Sequence, residues 1–519
     1  MNHRLGLTVA LLASSTGVAA NDLLGVFQDA VRNDPQIRQA DANRLAAREA
    51  RPQAWSNLLP QVQGTASQGR THSAGLQDGL FTKKDQLVAL PESITADTTQ
   101  KQWAITLRQN VFSWANWMTL KVADSQVAQA EASYEAAEQN LIFRLSQAYF
   151  NVLSAIDDLD AQQASLEAIS RQLDEANRRV EVGLSASTDV EEAKAARDTA
   201  SAAVIAAKRT LATSEDQLQE ITGKKYDVLA KPGNDMPLNM PDPSDENRWV
   251  EISMDQNLSL VASRLAADIA RNNVRVAFGS HLPTLDLQAT REYSNSTANQ
   301  IVSVPGEGPA LTFPNFGSRI NDRQISLQIT VPIYSGGNTQ SKVRQAQYTW
   351  VAAKEAVVQT SRATERQARD AYLGVISGIA RVRALRQALD SSQTALKATE
   401  AGYEVGTRTA VDVLNSRRSL VQAQTDYSGS RYDFIVSLVQ LRLAAGNLDR
   451  EQLVEINNWL TSSAPTSPSS PTTAQSLTPP VASIEVRQSP SAPYAAVFGF
   501  DPHAVLVTML PRLSANHLW

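Results

Sequence analysis

The sequence contains no cysteine among its 519 residues, and its five histidines are scattered at positions 3, 72, 281, 503 and 517. The lack of cysteine excludes disulfide staples and thiolate metal sites. The histidines have no metal-ligand spacing, and the chain has no nucleophile elbow. We therefore expect a protein that is not an enzyme and has no metal site or cofactor.

The sequence also has no excess of positive charge: 48 Lys and Arg residues against 53 Asp and Glu residues give a formal net charge of −5. This balance gives no basic footprint for nucleic acid, and none is predicted as a partner. Apolar runs are short as well. The run Leu5–Leu12 follows His3 and Arg4, precedes small residues at 18–20, and falls far below the ~20 residues of a spanning helix. Residues 1–20 are predicted to be a cleaved signal peptide rather than a membrane anchor.

What the chain does contain is an internal duplication with a shift of 223 residues, seen in the stretches 181–190 and 404–413. Each stretch interrupts a long helical pattern at a glycine and restarts with small polar residues and an aspartate, as at the tip of a helical hairpin. The same shift relates three further pairs: Pro60 and Pro283, Tyr149 and Tyr372, and Gly223 and Gly446. We predict two structural repeats, 21–230 and 249–460, joined by a linker at 231–248.

Each repeat also contains two segments in which apolar and polar residues alternate. They predict strands at about 61–74 and 101–112 in the first repeat, and at about 284–297 and 324–334 in the second. Polar loops are predicted at 75–100 and at about 298–322. The alternation fits an ordinary half-buried sheet or a membrane barrel; export and the polar residues Arg108, Asn110 and Gln328 favour the barrel. Because the smallest known barrels need about eight strands, four strands per chain would require oligomerisation.

Behind each strand pair lies a helical pattern of unusual length. Apolar residues recur every seven positions from Val152 to Val180, and again from Val375 to Tyr403, which predicts coiled-coil packing. A helix from Ser113 to Val182 would be ~100 Å long. Return helices follow at 188–219 and 411–443, the segment 222–247 is predicted to be irregular, and the Ser-, Thr- and Pro-rich residues that follow Leu460 predict a disordered tail at 461–519.

These features resemble TolC-type outer membrane efflux and secretion proteins over about Asp22 to Leu460. The resemblance rests on the two tips, on Leu59-Pro60 and Leu282-Pro283 before strands, and on the segment 331–337 before a long helix. It implies a mainly α fold with a small β part: a long coiled-coil helical barrel, the periplasmic tunnel, plus four strands per chain of a trimeric 12-stranded transmembrane β-barrel.

The resemblance also implies a function. The homotrimer would lie in the outer-membrane lipid of a Gram-negative bacterium and extend into the periplasm. There it would join a periplasmic adaptor (membrane fusion) protein and an inner-membrane ABC or proton-driven transporter, as an exit duct for type I protein secretion, multidrug efflux or both. The alternative is a secreted coiled-coil structural scaffold with no channel activity, which would explain the heptads but not the duplicated strand pairs.

Residue by residue, the resemblance assigns two roles to the tips. The adaptor-docking surface would comprise Val182, Gly183, Leu184, Ser185, Val405, Gly406 and Thr407. The gate would comprise Asp189, Tyr403 and Arg408, whose links keep the entrance shut, and Asp412, which would ring the pore at its narrowest point. Where relatives carry a second aspartate one turn further on, this chain has Asn415, so a doubled acidic ring is not expected.

Purely structural interpretations of the same tip residues stay open. Gly183 and Gly406 could be helix C-caps, and Tyr403 could be a core residue at the end of its stripe. Asp189 and Asp412 could favour helix N-termini through the helix dipole. Arg408 has no evident structural reason to be arginine, which makes it the most specific candidate of the set.

Overall fold

The computed structural model describes residues 21–83, 86–183, 186–233, 236–304 and 308–466. The predicted signal peptide and residues 467–519 of the predicted tail lie outside these ranges. None of the helices in the described ranges is both long and apolar enough to cross a membrane.

The first repeat contains three short helices, two strands and two long helices: α1 Leu23–Asn33, α2 Pro35–Arg48, α3 Ala50–Ser56, β1 Gln61–Lys83, β2 Gln86–Phe112, α4 Trp114–Glu181 and α5 Ser187–Thr222. A short strand, β3 Val228–Pro232, follows it. The second repeat has a matching order: α6 Glu246–Gln256, α7 Leu258–Gly279, β4 Thr284–Ser303, β5 Leu311–Thr330, α8 Asn338–Glu404 and α9 Ala410–Ala445. The described chain ends with α10 Arg450–Asn457 and β6 Leu460–Pro465.

The two long hairpins, α4–α5 and α8–α9, have the predicted lengths. Helix α4 has 68 residues and α8 has 67, so each is ~100 Å long at ~1.5 Å per residue. Both return helices end at a left-handed glycine, Gly223 (φ 71°) and Gly446 (φ 76°). At Gly446 a Cβ would lie 2.4 Å from the carbonyl oxygen of Gln256, so this position needs glycine for space as well as for conformation.

The heptad stripes form the buried seams of these hairpins. Val152, Leu159 and Leu173 on α4 are buried, and so are Val375, Val382 and Leu396 on α8; Tyr403, at the tip end of the second stripe, is half-buried. The main core lies midway along the hairpins, where Phe150 stacks on Tyr432 with ring centroids 6.0 Å apart.

Four strands form one antiparallel sheet in the order β1-β2-β4-β5, so the two predicted hairpins are joined by β2 and β4. The predicted strand ends were wrong. Residues 75–83, 86–100, 298–303 and 311–322 are strand rather than loop, because backbone ladder bonds continue through segments in which no regular alternation of apolar and polar residues marks a strand. At the other end β5 stops at Thr330, short of the predicted 334, since Pro332 has no N–H for the ladder.

A second, two-stranded sheet corrects two further predictions. The segment predicted to be irregular contains β3, and the first residues of the predicted tail form β6, which pairs antiparallel with it. The phenol of Tyr149 donates to the carbonyl oxygen of Ala230 in β3 (2.7 Å). Lys231 and Tyr432 both bond to the carboxylate of Asp157. These bonds hold the linker against the midpoint of the long hairpins. Burial raises the pKa of the phenols of Tyr149 and Tyr432 above the ordinary value.

Candidate functional site: the two hairpin tips

The first tip connects α4 to α5. Helix α4 ends at Glu181, and the N–H of Gly183, whose φ of 73° is left-handed, donates to the carbonyl oxygen of Val180 (3.0 Å). No atom lies within 4 Å of the position a Gly183 Cβ would take, so backbone conformation alone favours glycine there. Leu184 and Ser185 lie outside the described residues. Helix α5 then begins after Ala186, which carries no side-chain oxygen to cap it.

The second tip connects α8 to α9 and is held by several hydrogen bonds. Gly406 (φ 79°) donates to the carbonyl oxygen of Tyr403 (3.1 Å), and the N–H and hydroxyl of Thr407 both donate to that of Gly402 (2.8 and 3.0 Å). Thr409 and Asp412 form a reciprocal capping box. The Thr409 N–H and hydroxyl donate to Asp412 Oδ2 (2.9 Å each), and the Asp412 N–H donates back to the Thr409 hydroxyl (3.2 Å).

The capping box also sets the charge of Asp412. Hydrogen bonds from the Thr409 backbone and then from its hydroxyl hold the pKa of this carboxyl below its ordinary value, and the positive charge of Arg408 adds to the effect. Asp412 is therefore ionised at neutral pH. Asn415 lies three residues further along α9 and is exposed, so the next turn presents an amide instead of a second charge.

Arg408 packs closely against the end of α8. A Cβ on Gly402 would lie 2.7 Å from Arg408 Cγ, so a side chain at 402 would displace the arginine. The Arg408 N–H donates to the Gly402 carbonyl oxygen (3.2 Å). The sequence thus supplies a glycine where the arginine stem needs room, which gives Gly402 a role that sequence reasoning missed.

Arg179 is a second residue that sequence reasoning missed. Its guanidinium carbon lies 5.0 Å from the centre of the Tyr403 ring, and it also forms an ion pair with Glu175 at 2.6 Å. This contact joins the last turn of α4 to the last turn of α8, so it ties the two tips of one chain together. A basic residue in a last helical turn is common, and only the fold brings it to Tyr403.

Tyr403, Arg408 and Asp412 each contact residues that sequence reasoning did not assign to the gate or the docking surface, and the links between gate residues stay predictions. Tyr403 meets Arg179, Arg408 lies on Gly402, and Asp412 caps α9. Asp189 lies in the first turn of α5, with its N–H donating to the Ala186 carbonyl oxygen (3.1 Å). The docking residues Val182 and Val405 are 68% and 75% exposed, as an interaction surface requires. Among the described residues no group of three or more His, Asp or Glu side chains is arranged to hold a metal ion.

The model of the outer membrane efflux protein family matches residues 26–224 and again 249–447. The second match begins 223 residues after the first, which is the shift of the internal repeat. The chain belongs to the outer membrane efflux protein family.

Individual relatives and solved structures agree with this assignment. The chain is 35% identical to the outer membrane protein TolC of Vibrio cholerae over 456 residues, 88% of this chain and 98% of the relative. It is 34% identical to TolC of Escherichia coli over 89% of this chain and 90% of the relative. The fold matches the Campylobacter jejuni CmeC outer membrane channel with a TM-score of 0.65 at 17% identity, over 85% of this chain and 89% of that one.

Proposed function

We propose that three copies of this chain form one exit duct through the outer membrane, used for protein secretion, for efflux of small molecules, or for both. The observation that carries the proposal is the pair of open edges of the four-stranded sheet. Strands β1 and β5 are the two edges of the four-stranded sheet, and exposed edges within a membrane must be paired with another chain. Pairing β5 of one protomer with β1 of the next closes a barrel of three identical parts.

Relatives support both kinds of cargo. Two proteins that are each 26% identical to this chain are named a proteases secretion protein in Dickeya chrysanthemi and an outer membrane efflux protein in Brucella suis. The described tip residues include no site built for a particular cargo, so the transporter on the other side of the periplasm would make that choice.

The tips are the proposed entrance. Tyr403 and Arg408 would donate hydrogen bonds to a carboxylate of a neighbouring hairpin, such as Asp189, and so hold the three chains together at their ends. Exposed links of this kind are individually weak, about 0.2–1 kcal/mol each. Three symmetric sets would keep the entrance closed while leaving it easy for a docked adaptor to open.

The test of the duct is assembly followed by conductance. Full-length protein extracted with detergent should run as a trimer by light scattering and should conduct ions in planar bilayers. A monodisperse monomer that retains its β-sheet circular dichroism signal would contradict the proposal. A trimer without conductance would leave the coiled-coil scaffold as the better account.

The docking surface can be tested separately. Because the sequence contains no cysteine, an introduced thiol is the only one that reacts. Val182→Cys and Val405→Cys place single thiols at the two tips, and a thiol-to-amine cross-linker in cells should join either variant to a periplasmic adaptor. Ile205→Cys is the matched control, since Ile205 is equally exposed (67%) but lies midway along α5. Equal capture from all three positions would contradict docking at the tips.

A further inference from the structure

One face of the four-stranded sheet carries a band of apolar side chains that ends in two aromatic residues. Ile325, Leu327 and Ile329 on β5 are 80%, 63% and 67% exposed, and their partners across β4 are Ala289, Leu287 and Leu285. Cross-strand partners and alternate residues share a face of a sheet, so these side chains form one surface. Further from the helices on the same surface, Trp103 stacks on Tyr293 with ring centroids 6.2 Å apart.

This arrangement locates the membrane. Barrels of the outer membrane have an apolar outer band about 25 Å tall that is bounded by aromatic residues at each interface. Trp114 and Trp117 at the start of α4 are exposed and lie at the helical end of the sheet. Trp103 and Tyr293 therefore lie at the interface on the side of the strand turns.

Basic residues occupy the same face on both sides of this aromatic pair, two residues nearer the helices and two residues nearer the strand turns. Arg291 lies two residues from Tyr293, and its guanidinium carbon is 5.9 Å from the Trp103 ring centre, which places it on the outer face. Arg291 pairs in register with Arg323, and four residues further toward the strand turns Lys101 and Arg319 both pair with Asn295. From Arg323 to Arg319 the chain rises ~14 Å at ~3.4 Å per residue. We call these four residues the basic belt.

The positive charges of the basic belt repel one another unless an anion lies beside them. Arg291 and Arg323 are directly opposite each other on adjacent antiparallel strands, and like charges in that position repel. Among the residues that the structure describes, none of the belt residues has a carboxylate within ion-pair distance. Arg108, on the inner face, has Asp286 within 3.9 Å. No described carboxylate of this chain therefore balances the belt, and an anion from outside the chain would relieve the repulsion.

We propose that the basic belt binds the phosphate groups of a phosphorylated glycolipid in the outer leaflet of the outer membrane. The occupant follows from position and charge. The belt adjoins the apolar band on the turn side, at the depth where lipid headgroups lie. Its guanidinium groups can each form two hydrogen bonds with phosphate oxygens. Bound headgroups hold Arg291 and Arg323 side by side without mutual repulsion and so stiffen the β4–β5 hairpin.

The first test uses the unaltered trimer in a neutral detergent. We would titrate it with lipid A that carries two phosphates, one or none, and count bound lipids by native mass spectrometry. Binding and thermal stabilisation should fall with each phosphate removed, and phosphatidylcholine should match the dephosphorylated lipid. Equal binding of the doubly phosphorylated and dephosphorylated forms would overturn the proposal without any variant being made.

The second test is a matched pair of variants on the sheet. Arg323→Gln removes one charge from the outer face, and Arg108→Gln removes one charge from the inner face. Each basic group near an anionic lipid surface contributes about 1 kcal/mol, so Arg323→Gln should weaken binding of doubly phosphorylated lipid A about fivefold. Arg108→Gln should leave binding unchanged. Equal losses in the two variants would mean that overall charge, and not the belt, is responsible.

Arg323→Gln also gives a readout that a simple loss of contacts would not produce. In phosphate-free detergent it should melt slightly above the parent, because the Arg291–Arg323 repulsion is relieved. With doubly phosphorylated lipid A present the order should reverse. A variant that melts below the parent in both conditions would show that Arg323 stabilises the sheet by itself and would contradict the proposal.

Discussion

The two hairpin tips have the same backbone turn with a left-handed glycine and are related by the shift of 223 residues. Different side chains stabilise the two turns. At the second tip Thr409 and Asp412 cap α9 and Thr407 bonds back to α8. At the first tip the residue before α5 is Ala186, whose methyl side chain cannot form a capping hydrogen bond. Duplication thus preserved the turn, and we expect the two copies to differ in rigidity because their caps differ.

This difference suggests a division of labour at the entrance. The second tip carries three of the four proposed gate residues, Tyr403, Arg408 and Asp412, on the better-capped turn. A gate residue must be held in position to act, so a rigid tip suits it. The first tip contributes Asp189, on a helix that begins without a side-chain cap at Ala186.

The largest expected effect comes from removing the donors of the second tip. Tyr403→Phe with Arg408→Ser should leave the trimer intact, because most of the apolar stripe of α8 is kept, and should widen the resting entrance. Conductance in planar bilayers should rise several-fold over the parent. Unchanged conductance in a correctly assembled double variant would place closure elsewhere and leave Tyr403 as a core residue.

The caps can be exchanged between the tips to test their difference in rigidity. Thr409→Ala should destabilise the start of α9 by about 1 kcal/mol, and Ala186→Ser should stabilise the start of α5 by a similar or smaller amount. Hydrogen exchange of the first-turn amides would measure both. If the parent tips already exchange at equal rates, the proposed difference in rigidity is wrong.

Arg179 links the two tips, so its removal should have a smaller effect that spans both. Arg179→Gln removes a cation–π contact with Tyr403 that is worth about 0.5–1 kcal/mol at an exposed site. We expect faster exchange at the ends of both α4 and α8 and a modest rise in conductance. Arg171→Gln, two turns earlier on α4 and also paired with a glutamate, is the control and should change neither.

The smallest effect is on pH dependence. The folded-state pKa of Asp412 lies below its unfolded value, so its contribution to the cap is fully present above the unfolded pKa of about 3.9 and is lost as pH falls through the folded value. Exchange protection at the start of α9, corrected for the intrinsic rate, should be constant from pH 7 to about pH 4 and fall below it. A loss of protection that begins near pH 5 would indicate that the carboxyl is not held by Thr409.

Sequence alone predicted the duplication, the long hairpins and the sheet, because each leaves a periodic or repeated pattern. The predictions were wrong at the strand ends, where the apolar and polar alternation stops but the strand continues. Thr95, Thr98 and Thr99 lie in a segment of β2 whose two faces are both mainly polar, so no alternation distinguishes this segment from a loop. Strand β6 begins a stretch whose Ser and Pro content is typical of disorder, and only its pairing with β3 orders it.

The tips show the same limit at the level of single residues. Gly406, Arg408 and Asp412 could be chosen because they lie in a repeated motif. Arg179 and Gly402 could not, because their roles arise from contact with residues that the fold brings to them: Arg179 meets Tyr403 on another helix, and Gly402 makes room for Arg408. Contacts between distant elements have no local signature in one sequence.

The most direct test of the entrance is block of the open channel by a trivalent cation. If Asp412 rings the narrowest point, block of single trimers in a planar bilayer should be strong from the side of the helix tips and absent from the side of the strand turns. Asp412→Asn should abolish it. Thr409→Ala, which also breaks the capping box but keeps the charge, should retain it. Block that persists in Asp412→Asn, or that is equal from both sides, would contradict an entrance at the tips.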